Sequence, residues 1–84
     1  MAPFDCALGC ELEPGGNVGP HVQDVCSEIV VCIAGEGEAC VEDDVTVLSP
    51  GVVVALPLGD TLALSNTSKT ETLRYLIIKA VPAR

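Results

Sequence analysis

Hydrophobic residues in this chain come in short runs broken by Gly, Pro, Asn and Asp, and no long segment repeats them at helical spacing. That pattern predicts strands throughout and no helix. A first strand is expected over residues 4–12, stopped by the turn-forming Glu13-Pro14-Gly15-Gly16-Asn17. Extended structure resumes around His21. The longest apolar run predicts a strand over 25–34, turned at Gly35 to Gly37 and returning over 38–41. The acidic Glu42-Asp43-Asp44 suits a solvated hairpin tip before a strand at 45–48. After a turn at Ser49-Pro50-Gly51 come a strand at 52–56, a turn at Pro57-Leu58-Gly59-Asp60 and a strand at 61–66. A polar loop then leads to a last strand at 71–81. No repeat, linker or low-complexity tract interrupts this, so residues 1–84 are expected to form one domain.

Composition sharpens the picture. With 49% hydrophobic residues but one Phe, one Tyr and no Trp, the core has to be built from Val, Leu, Ile, Ala and Cys. β-Branched and aliphatic stock of this kind fits strands. A chain of 84 residues hides only about 60% of its unfolded surface, so its core is thin. Sheet edges need covering, and pairing with a second copy extends such a core; a homodimer is expected.

Charge narrows the partners. Twelve acidic residues against four basic ones give a net charge of −8, which opposes nucleic acid and anionic membrane surfaces. No apolar run reaches the roughly 18 residues of a membrane span. The first thirteen residues lack a basic segment followed by a long apolar one, so no signal peptide is read and a cytoplasmic location is the default expectation.

The five cysteines do not suggest a local disulfide framework. On one strand, Cys26 and Cys32 would stand about 20 Å apart at roughly 3.3 Å per residue. A disulfide needs about 4.4–6.8 Å between Cα atoms. Free, buried thiols are the expectation.

Two gapped motifs carry the strongest information. The first runs Gly15, five residues, His21, one residue, Gln23, four residues, Glu28, six residues, Gly35. The second runs Gly51, five residues, Pro57, one residue, Gly59, two residues, Leu62, three residues, Asn66. In order and spacing they resemble the paired motifs of the cupin superfamily. The resemblance implies an all-β, jelly-roll small barrel whose interior often holds a divalent metal. Independently of any family, Gly15, Gly35, Gly51 and Gly59 fall where corners need positive φ or close backbone approach.

In metal-binding cupins the places filled here by His21, Gln23, Glu28 and Leu62 converge on one ion. Strand alternation puts His21 and Gln23 on one face and Glu28 on a face with Cys26, Val30 and Cys32. The chain has one histidine, Leu62 has no donor, and an amide is a poor substitute for imidazole, so the usual four-ligand site is not expected. A mixed set of His21, Glu28 and a thiolate from Cys26 or Cys32 is the alternative for a divalent metal.

A metal-free reading makes Glu28 the carboxylate that orients His21, with Gln23 selecting a ligand. Val54, Leu56, Leu62 and Leu64 would form an apolar wall. Such a cavity suits a small, partly apolar organic ligand. Arg74 and Lys79 fall on opposite faces of the last strand by parity, and Arg74 is expected at a solvated edge.

Three functions follow, and the residues leave enzymatic activity open. The first is a small cupin-like barrel that binds a small organic ligand without the usual metal. The second is a metal-dependent enzyme of oxygenase, isomerase or decarboxylase type with altered ligands. The third is a structural or regulatory dimer module with a filled interior.

Overall fold

A computed structural model describes residues 4–24 and 26–80. Eight strands occur in this part: β1 (Phe4–Leu12), β2 (Asn17–Val22), β3 (Glu28–Ala34), β4 (Gly37–Val41), β5 (Asp44–Leu48), β6 (Val53–Leu56), β7 (Thr61–Asn66) and β8 (Leu73–Ala80). They form two four-stranded sheets, ordered β1-β8-β3-β6 and β2-β7-β4-β5, and every described pairing is antiparallel. The all-β expectation holds, as does the order of its strands.

One boundary moves. β3 begins at Glu28 rather than near residue 25, because the preceding segment is tied to a turn. Gln23 N donates to Asp60 O, Gly59 N to Gln23 O, and Leu58 N to Ser27 Oγ. Val25 and Val81, the first and last residues of two expected strands, lie outside the described residues.

The inner faces meet in an aliphatic core. Val30 and Cys32 of β3, Leu48 of β5, Leu56 of β6, Leu62 of β7 and Leu73 of β8 are its largest fully buried side chains. Alternation along β7 shows how the sequence builds it: Leu62, Leu64 and Asn66 point in, while Thr61, Ala63 and Ser65 face out.

Four corners use backbone that glycine adopts far more readily than other residues. Gly15, Gly35, Gly51 and Gly59 all have positive φ. Gly35 is the tightest, with φ +88° and room for a Cβ only 2.5 Å from Thr72 O. At the tip of the β4–β5 hairpin Val41 faces Asp44 in register, so Glu42 and Asp43 make a two-residue loop. Glu42 takes positive φ there, its N donates to Thr61 O, and its Oε1 accepts from Thr61 N. The acidic tip is exposed, as expected, yet one of its carboxylates caps β7. Among the described residues no helix is long and apolar enough to cross a membrane.

Candidate functional site

Residues directly opposite in a ladder leave the sheet on the same side. In the first sheet Lys79, Glu28 and Leu56 stand in one row on the inner face. In the second, His21, Leu62, Val41 and Asp44 do the same. Gln23, just beyond the end of β2, reaches across. Its Nε2 donates to Glu28 Oε2 and lies 3.7 Å from Cys26 Sγ.

Lys79 Nζ stands 3.6 Å from the same Glu28 oxygen. The Glu28 side chain is 4% exposed and that of Lys79 32%. The result is a sealed carboxylate held by an amide and by an ammonium that still reaches solvent. Taking a charge out of water is costly unless it is paired and hydrogen-bonded, and both conditions are met here.

Of the four candidate residues, Gln23 and Glu28 meet as expected and Leu62 is walled into the core at 1% exposure. His21 does not join them. It lies on the inner side of β2, opposite Leu62, but β2 is an edge strand and the ring is exposed. Its Nδ1 lies 3.3 Å from Gly19 O. The expected His21–Glu28 dyad is therefore replaced by a Lys79–Glu28 pair.

Lys79 was separable from Arg74 by parity, but parity does not say which of the two faces inward. Arg74 faces out and pairs with Glu11 at 3.7 Å, both exposed. The apolar wall is present: Val54, Leu56, Leu62 and Leu64 are all buried. It is packed as core. Two described hollows, of about 350 and 330 Å³, open elsewhere, on the outer faces of the sheets.

A divalent metal, which the family resemblance implies, does not fit these side chains. Among the described residues no three His, Cys, Asp or Glu side chains gather into a group able to hold an ion. The Lys79 ammonium and the Gln23 amide protons already occupy Glu28 Oε2, and a cation beside an ammonium is repelled. The mixed His21, Glu28, Cys26 and Cys32 set is not assembled either. Cys32 lies four residues along β3 from Glu28, about 13 Å at strand rise, and its Sγ contacts Ala34 O. Cys26 is buried against Gln23.

The thiols divide by position. Cys26 and Cys32 are buried and free, while Cys10 and Cys40 are free but only half-buried, more open than expected. Burial pushes the Cys32 thiol above its ordinary range, against a smaller lowering by its contact with Ala34 O. Burial likewise raises the Tyr75 phenol, with Cys10 adding to it.

Comparison with known proteins agrees with this architecture. The family description that matches the chain is "Cupin domain", over residues 9–79. Solved structures superpose closely. A predicted oxalate decarboxylase from Thermotoga maritima matches with TM-score 0.85 and 24% identity, over 94% of this chain and 68% of its own. A cupin 2 conserved barrel domain protein from Salinispora arenicola gives 0.81 and 25%, over 94% and 64%. The cupin domain of Cnp3 from Schizosaccharomyces pombe gives 0.86 and 18%, over 96% and 58%. The chain thus spans roughly three fifths to two thirds of the length of these structures. No curated protein matches it.

Proposed function

The chain belongs to the cupin family, and within that fold we propose that it binds a small, partly apolar organic ligand without a metal, at the Lys79 end of the barrel. One observation carries this reading: the buried Glu28 carboxylate, held by Gln23 and Lys79 beside a mainly aliphatic core. A charge pair placed there contributes little net stability compared with packed hydrophobes, so its presence supports a role in binding. Lys79 keeps donors free for a ligand carbonyl or carboxylate, because an ammonium has three and is partly solvated. Gln23 donates to the same Glu28 oxygen that Lys79 approaches. His21 stands on the rim, and Leu62 with Leu56 closes the floor.

A second reading draws on a different observation. The interior at Val30, Leu48, Leu56 and Leu62 is filled, which favours a structural or regulatory module. A ligand-observed NMR screen of small organic acids, amides and alcohols separates the two. Binding reading expects hits whose affinity falls at least about tenfold in Lys79→Met, a loss of one charge-assisted contact. A screen without hits, or hits indifferent to Lys79→Met and Gln23→Ala, overturns it in favour of the module. Stoichiometric metal in protein purified without chelator, lost in Glu28→Gln, would instead support a metal-dependent enzyme.

A further inference from the structure

β2 leaves its ladder at one place. Val18 faces Leu64 and His21 faces Leu62, so Gly19 and Pro20 together oppose the single Ala63. Two residues against one make a β-bulge, and proline is tolerated there because an edge strand can spare its N–H. Bulges are over-represented next to active sites. Here the bulge borders small residues. Across the outer face, Ala63 is followed by Cys40 of β4 and Val45 of β5, whereas the neighbouring row holds Asn17, Ser65, Glu38 and Val47. A low floor beside a taller row leaves a hollow of about 350 Å³, within the usual range for a small-molecule site. It lies outside the second sheet, apart from the Glu28–Lys79 pair on the inner face of the first.

We propose that this hollow binds a small organic cation, an amine with a compact apolar body. The lining decides its charge. Glu38 supplies the one carboxylate there, and its side chain is exposed. The described ion pairs use Glu11 and Glu28, and no lysine or arginine lines the hollow, so among the described residues the Glu38 carboxylate has no cation of its own. The thiol on the floor is engaged, Cys40 Sγ donating to Glu42 O at 3.1 Å. Asn17 and Ser65, in the same row as Glu38, offer an amide oxygen and a hydroxyl oxygen to further N–H groups of the ligand.

Pro20, Ala63 and Val45 give the apolar body its bed, and Val45 is 60% exposed, with surface left to cover. The net charge of −8 draws cations toward the chain from every side. What distinguishes the hollow is a single carboxylate set against apolar ground, which repels an anion and gives a neutral molecule no ion pair. At roughly 30 Å³ per water-sized group, it takes a ligand of on the order of ten non-hydrogen atoms. An open site of that size holds such a ligand with a Kd on the order of 1 mM.

Amide NMR spectra of the full chain, titrated at neutral pH with benzylamine, benzyl alcohol and benzoate to about ten times that Kd, test this. Benzylamine should move the amides of Gly19, Glu38, Cys40 and Ala63 in a saturable way. It should bind about threefold or more tightly than benzyl alcohol, the worth of an exposed ion pair, while benzoate does not saturate. Glu38→Gln should erase that preference, whereas Glu71→Gln, the same loss of charge at an exposed position before β8, should leave it. Ala63→Leu fills the floor and should abolish saturable binding of amine and alcohol alike. Glu38→Gln changes an exposed side chain, so it decides the matter even if Ala63→Leu fails to fold. Shifts that do not saturate, that map to another part of the chain, or that are equal for amine and alcohol overturn the proposal. So does a preference for the amine that survives Glu38→Gln or is lost equally in Glu71→Gln.

Discussion

Asn66 is the sharpest place to test this account of the barrel. It ends β7 with a side chain on the inner face, 4% exposed, and its amide ties together segments far apart in the chain. Nδ2 donates to Leu12 O at 3.0 Å, Glu13 O at 3.0 Å and Glu71 O at 2.8 Å, while Oδ1 accepts from Ser68 N at 2.9 Å. Two amide protons thus serve three carbonyls, and the end of β1 is held to the loop before β8. A typical hydrogen bond contributes about 1 kcal/mol net, and a buried group left unpaired costs about 1–3 kcal/mol.

Glu13 and Glu71 are exposed, so water can reach part of what Asn66→Ala uncovers. The expected loss is therefore about 2–3 kcal/mol. A domain of this size holds on the order of 4–13 kcal/mol in total, so the loss is a large fraction. Asn66→Asp keeps the acceptor for Ser68 but turns an oxygen toward three carbonyl oxygens. It should cost more than alanine, about 4 kcal/mol or more, because a charge is then buried among like-signed dipoles.

Urea unfolding at one fixed protein concentration, followed by far-UV circular dichroism and by the fluorescence of the single Tyr75, measures both. An alanine variant within about 1 kcal/mol of wild type would show that Asn66 does not hold these segments. An aspartate variant no worse than alanine would show that its donors do not matter.

Three further outcomes follow from the same geometry. Gly35→Ala should cost about 2 kcal/mol or more and Gly51→Ala about 1, because both need positive φ but only Gly35 meets backbone, at Thr72 O; equal losses in urea unfolding would contradict the close approach. Lys79→Met leaves Glu28 paired only with Gln23 and should destabilise by about 1–3 kcal/mol, below the usual figure for a buried pair because Lys79 is a third exposed. Adding Glu28→Gln should restore most of that, and a strictly additive double variant argues against the pair. Cys32 and Tyr75 have pKa values raised above their ordinary 9.0 and 10.0, chiefly by burial. The folded state then holds these protons more tightly than the unfolded one, so their contribution is complete below about pH 9 and lost as pH rises through the raised values. Thermal melts that stay level from pH 8 to well above 10 would refute that sign.

Local chemistry explains what could be read before the fold was known. The four motif glycines all occupy positive φ because each corner's demand is confined to a few residues. The strand order was legible for the same reason, with apolar runs ending at turn residues. The site was less so, because its members meet through long-range register. His21 and Gln23 share parity, yet β2 is an edge strand that ends between them, so one is left in solvent while the other is buried. Lys79 could not be assigned to Glu28 until the β3–β8 register put the two side by side. The apolar outer face of β3 was in plain view from Ile29 to Ala34, a run with no polar residue. Periodicity alone cannot say whether such a run is covered by its own chain or by another. Only the sheet order shows that, among the described residues, no strand of this chain lies over that face.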